Sequence, residues 1–118
     1  MHAKIHNLES NDHLDWQGFV DYQSPDPFDD CGWFHVTVGA SGMDGGNDFQ
    51  VFVATPRAVG RVKRSGELPG ILVDHFDAES VRVAIYERIE AIEGCTWEQI
   101  VEKLRKFMQW EYEGMAGS

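Results

Sequence analysis

Two stretches of strict alternation constrain this chain more than anything else in it. Between Trp33 and Val38 the residues Phe34, Val36 and Val38 share one face, and between Asp48 and Ala54 the residues Phe49, Val51 and Val53 do the same. Successive side chains on a strand point to opposite sides of a sheet, so a period of two with apolar residues on one side predicts a strand half covered by a core. The segment between them, Gly39-Ala40-Ser41-Gly42-Met43-Asp44-Gly45-Gly46-Asn47, is rich in residues that tolerate positive φ. An antiparallel hairpin with a longer loop follows.

Downstream the period lengthens to that of helices. Thr55-Pro56 supplies a capping hydroxyl and a proline at the first helical position, predicting a short helix that turns Ala58, Val59 and Val62 inward and stops near Gly66 and Pro69. Ile71-Leu72-Val73 is a brief apolar run suited to a buried third strand. Asp77 caps the next helix, in which Val81, Ile85, Ile89 and Ile92 form one stripe ended by Gly94. Thr96 with Gln99 three positions on makes a capping box, opening a helix whose buried side carries Trp97, Ile100, Val101, Leu104, Phe107 and Met108. Gln109 to Glu113 alternates aromatic and acidic residues as a last strand would, the alternative being an extension of the helix.

Upstream the pattern is weaker. Ala3 to Leu8 suits a short strand, although its alternation is poor. Glu9 to Gly32 reads as a long ordered loop, with Pro25 and Pro27 bracketing Asp26 and the rings of Trp16, Phe19, Tyr22 and Phe28 packed on the rest. The order of elements is that of an α+β fold: one mostly antiparallel sheet with two long C-terminal helices packed on one face. A chain of 118 residues has room for a single domain, 1–118, and buries enough surface for one core.

The charge is unevenly placed. From Met1 to Pro56 the carboxylates of Glu9, Asp12, Asp15, Asp21, Asp26, Asp29, Asp30, Asp44 and Asp48 stand against Lys4 alone, so this half carries −8 of the net −10. Such a field repels nucleic acid and anionic membrane and accelerates encounter with a cationic protein; acidity that serves solubility alone is the plainer alternative. The one basic cluster, Arg57, Arg61, Lys63 and Arg64, lacks interleaved aromatics and suits a solvated helix face that pairs with the acidic half or with a second copy of the chain. Met1 to Ser10 has no basic and apolar leader pattern, and Cys31 and Cys95 have neither CxxC nor metal spacing, as expected of a cytoplasmic protein with reduced thiols.

Motifs for catalysis are wanting. Cys31 and His35 on one strand share a face but stand about 13 Å apart at ~3.3 Å per residue, out of reach for a nucleophile and its base. Asp44 to Asp48 between two strands reads as a hairpin turn rather than a calcium loop, and His2, His6, His13 and His75 lack zinc spacing. Glu111 and Glu113 suit the solvent face of an edge strand, where charges discourage edge pairing. No enzyme activity, cofactor or metal is expected. A small hydrolase using clustered carboxylates with His35 or His75, and an acidic adaptor, are the competing readings.

Several short motifs follow one another along the chain: Pro25-Asp26-Pro27-Phe28, Val38-Gly39, Gly46-Asn47-Asp48-Phe49, Val53-Ala54-Thr55-Pro56-Arg57 and Trp110-Glu111-Tyr112-Glu113. Across residues 25–113 they resemble the bacterial immunity protein 8 family, departing from its pattern at Ala54, where the family has Cys, and at Tyr112, where it has Phe. The resemblance implies a non-catalytic antitoxin of a polymorphic toxin system, such as contact-dependent inhibition, that binds and neutralises a cognate toxin domain, most commonly a nuclease. Charge density and loop position put the partner-binding residues at Asp26, Asp29, Asp30, Asp44 and Asp48, with Glu111 and Glu113 at the sheet edge.

Overall fold

The computed structural model describes residues 1–42 and 45–110. Among these residues nine elements follow one another: β1 (Ala3–Ser10), α1 (Trp16–Asp21), β2 (Cys31–Ala40), β3 (Asn47–Ala54), α2 (Pro56–Lys63), β4 (Ile71–Leu72), α3 (Ala78–Glu90), α4 (Trp97–Leu104) and β5 (Gln109–Trp110). The alternating segments form the centre as expected. β2 and β3 pair antiparallel with Phe34 opposite Val51 and Val36 opposite Phe49, and all four side chains are buried.

β1 adds antiparallel to the outer edge of β2, with Ile5 opposite Val38 and Leu8 opposite Val36. The poor alternation of this segment has a cause: the register shifts between Ile5 and Asn7. An extra residue in one strand returns both Ile5 and Leu8, three positions apart, to the core face. Gly39 is required beside it, because a Cβ there would lie 2.3 Å from the Gly45 carbonyl oxygen and 2.8 Å from the His6 ring. On the far edge of β3, β5 pairs antiparallel opposite Phe49 and Gln50, and β4 pairs parallel opposite Val53 and Ala54. The sheet is thus mostly antiparallel.

The main core fills the space between one sheet face and α1, α3 and α4, drawing on Phe19, Phe34, Val51, Ile85, Ile100 and Leu104 among others. Removing such a side chain from water contributes about 1.5–3 kcal/mol. On the opposite face α2 covers one end of the sheet, packing Ala58 and Val62 on Phe52 and Ala54. The remainder of that face is free of helices among the described residues.

Several boundaries differ from those expected. Glu9 to Gly32 is not all loop: it holds the end of β1, the whole of α1 and the start of β2. α1 is six residues long with Phe19 as its buried residue, too short for helical periodicity to register; ring packing of Phe19 on Phe34 and Phe76, at 5.0 and 5.3 Å, stabilises it. Thr55 does not cap α2 with its side chain. Its hydroxyl accepts the Asp30 N–H at 3.0 Å and donates to the Asp30 carbonyl at 3.2 Å. α3 ends at Glu90 rather than Gly94, since the chain leaves the helix to pair with β1, the Ala3 N–H donating to the Ile92 carbonyl at 2.9 Å. α4 closes at Leu104, so Phe107 and Met108 pack inward from the turn that follows. Its box forms between the Gln99 N–H and Thr96, at 3.2 Å, while the Gln99 side chain accepts from Cys95. Of the last alternating segment, 109–110 is strand; Glu111 to Glu113 lie outside the described residues.

Candidate binding face

Alternation on the central hairpin that turns Phe34, Val36, Phe49 and Val51 to the core turns Trp33, His35, Thr37, Asp48, Gln50 and Phe52 to the other side. Away from α2 these side chains form a connected polar ladder. The Thr37 hydroxyl donates to Asp48 at 2.7 Å, and His35 Nε2 lies 3.2 Å from the same Asp48 oxygen. Gln50 Nε2 lies 3.2 Å from His35 Nδ1, and the Gln50 carbonyl oxygen accepts from Asn11. With the amide donating to Nδ1, the imidazole is oriented so that Nε2–H donates to Asp48. Asp48 is therefore fixed in position while its side chain remains 37 % exposed.

The loop before β2 employs its carboxylates differently. Asp26 sits on an exposed turn, where its side chain accepts the Phe28 N–H at 3.0 Å. Asp29 pairs with Arg61 of α2. Asp30 accepts from the Tyr22 hydroxyl at 2.7 Å, from Ser24 and from the Cys31 N–H at 2.8 Å. Burial, then the hydrogen bond to Asp30, pushes the Tyr22 phenol above its ordinary pKa. Burial likewise raises the Cys31 thiol, with the Arg61 guanidinium opposing it. A thiol held protonated is a poor nucleophile.

The expected acidic residues do not form one patch. Asp30 is bonded to Thr55, just past the far end of β3, whereas Asp48 stands near its beginning, seven residues back, about 23 Å at ~3.3 Å per residue. Asp44, Glu111 and Glu113 lie outside the described residues. Of the ladder partners of Asp48, the sequence picks out His35 alone, and as a candidate catalytic base; only their shared period of two marks Thr37 and Gln50 as outward neighbours. A hollow of about 370 Å³ beside the ladder, lined by Trp33, Phe52, Leu68, Arg105 and Lys106 among others, is not legible in the sequence, because its lining comes from segments far apart in the chain.

His75 pairs with Asp77 and so supports the first turn of α3, where Asp77 accepts the Ser80 N–H at 2.8 Å. Among the described residues no three His, Cys, Asp or Glu side chains are grouped to hold a metal ion. No helix there is long and apolar enough to cross a membrane. What the face offers is a charged, hydrogen-bonded surface built on Asp48, His35, Thr37 and Gln50.

A family model described as Immunity protein 8 matches residues 3–115. No curated protein and no solved structure matches the chain.

Proposed function

The chain belongs to the immunity protein 8 family and is a non-catalytic antitoxin that binds a cognate toxin; we propose that this toxin is a bacterial nuclease domain with a cationic face, neutralised in the cytoplasm by electrostatic occlusion. The observation that carries the reading is the charge asymmetry, −8 of −10 within Met1 to Pro56. Nuclease clefts are cationic because they hold phosphate, and an acidic surface fits them by complementarity. Asp26 on its exposed turn and Asp48 on the part of its face that α2 leaves open meet the toxin, together with Asp44, Glu111 and Glu113. Asp29 and Asp30 act through the shape of the loop that presents Asp26.

Co-expression with the toxin domain encoded beside this gene tests the reading. Cells are expected to survive, and the two proteins to purify together as a complex that weakens as salt rises. Continued killing with no complex recovered would overturn it.

A further inference from the structure

Leu14 has a fully exposed side chain, 97 % accessible, and the one positive φ among the described non-glycine residues, +71°. The Asp15 N–H donates to the His13 carbonyl at 2.9 Å, making Leu14 the central residue of a γ-turn of the rare, strained hand. Its position is the one from which an apolar side chain ordinarily folds back on the fourth residue of a helix. The capping residue of α1 is Asp15, so that fourth residue is Phe19. Leu14 does not cover it: His13 does, with ring centroids 5.6 Å apart, and packs at a tilt against Tyr22 at 4.3 Å.

The turn is held firmly. A Cβ on Gly18 would lie 2.0 Å from the His13 carbonyl oxygen, so only glycine lets α1 approach it. The Trp16 N–H donates to Glu9 and the Gly18 N–H to Asp15, both at 2.8 Å. An apolar side chain is thus held out in water on a conformation that glycine would adopt without strain. Asp12 and Asp15, both exposed, lie within two residues of it along the chain, and the exposed Asp21 ends α1.

We propose that Leu14 is an anchor of the toxin interface, seated in an apolar socket whose cationic rim pairs with Asp12, Asp15 and Asp21. An apolar group already ordered in its bound conformation loses little freedom on binding, which is the value of rigid presentation. The proposal rests on the reading of the chain as an antitoxin for a basic-faced domain.

Leu14→Gly removes the side chain and keeps the turn, and Leu14→Asn, which also tolerates positive φ, repeats the test should glycine loosen it. Leu14→Met restores an apolar side chain. Affinity for the toxin domain encoded beside this gene is measured for the parent and each variant, with thermal unfolding of each protein alone. The glycine and asparagine variants are expected to unfold within a few degrees of the parent and to bind at least tenfold more weakly, about 1.4 kcal/mol, with the methionine variant close to the parent. If variants of parental stability bind as tightly as the parent, Leu14 is no anchor and the antitoxin reading stands. If the parent itself does not bind that domain, the antitoxin reading falls and the anchor with it.

Discussion

Asp30 accepts hydrogen bonds from Tyr22, Ser24 and the Cys31 N–H, while Asp26, four positions away, accepts the Phe28 N–H on an exposed turn. The two substitutions should therefore part company. Hydrogen bonds to a charged group contribute about 1.5–3 kcal/mol each; with three lost, and a discount for screening at a half-exposed site, Asp30→Ala is expected to lower the unfolding free energy by at least about 3 kcal/mol in denaturant titration. Asp26→Ala should stay within about 0.5 kcal/mol of the parent yet slow association with the toxin. Sequence alone gave these neighbours equal standing, because charge and loop composition are the same for both; what separates them is which donors the folded chain brings to each. Asp77 offers a test by pH. Burial works against its charged form, but the Ser80 N–H, His75 and the Ser80 hydroxyl outweigh it, and its pKa falls below the ordinary value. A lowered folded pKa means that the stabilisation is fully present above the unfolded pKa of about 3.9 and is lost as pH falls through the folded value. Asp77→Ala is expected to cost about 0.5–2 kcal/mol at neutral pH, and the gap between variant and parent should close in acid.

At the scale of elements, legibility followed length and period. β2 and β3 are readable because the alternation over Trp33–Val38 and Asp48–Ala54 leaves one arrangement, and Asp77 and Thr96 mark their helix starts because both caps are satisfied within three residues. Endings were less readable, since α3 stops where pairing of the Ile92 carbonyl with Ala3 competes with another helical turn, a contact about ninety residues distant in sequence. α1 escaped notice because its stability lies in tertiary ring contacts, not in propensity. Phe19→Ala is accordingly expected to cost about 3–5 kcal/mol, far more than six helical residues could contribute alone, and to raise hydrogen exchange in 16–21 beyond that in α3. The candidate face was legible in its charge but not in its layout. Composition located the acidic half, whereas the separation of Asp30 from Asp48 by the length of β3 follows from the register of the hairpin.

For the whole molecule, helices cover one sheet face and α2 one end of the other, leaving Asp48 and its ladder half-exposed on a half-chain of charge −8. That arrangement suits encounter guided by field and fixed by local contacts, so charge should act chiefly on the association rate. Neutralising Asp26 and Asp48 together to Asn should slow association more than it speeds dissociation, as read by surface-binding kinetics. The most direct measurement is the association rate constant with the toxin domain encoded beside this gene as salt rises from about 0.01 M to about 1 M, over which the screening length falls from ~30 Å to ~3 Å. A fall of at least tenfold is expected for an acidic antitoxin steered onto a cationic face. A rate constant that stays level or rises with salt would contradict it.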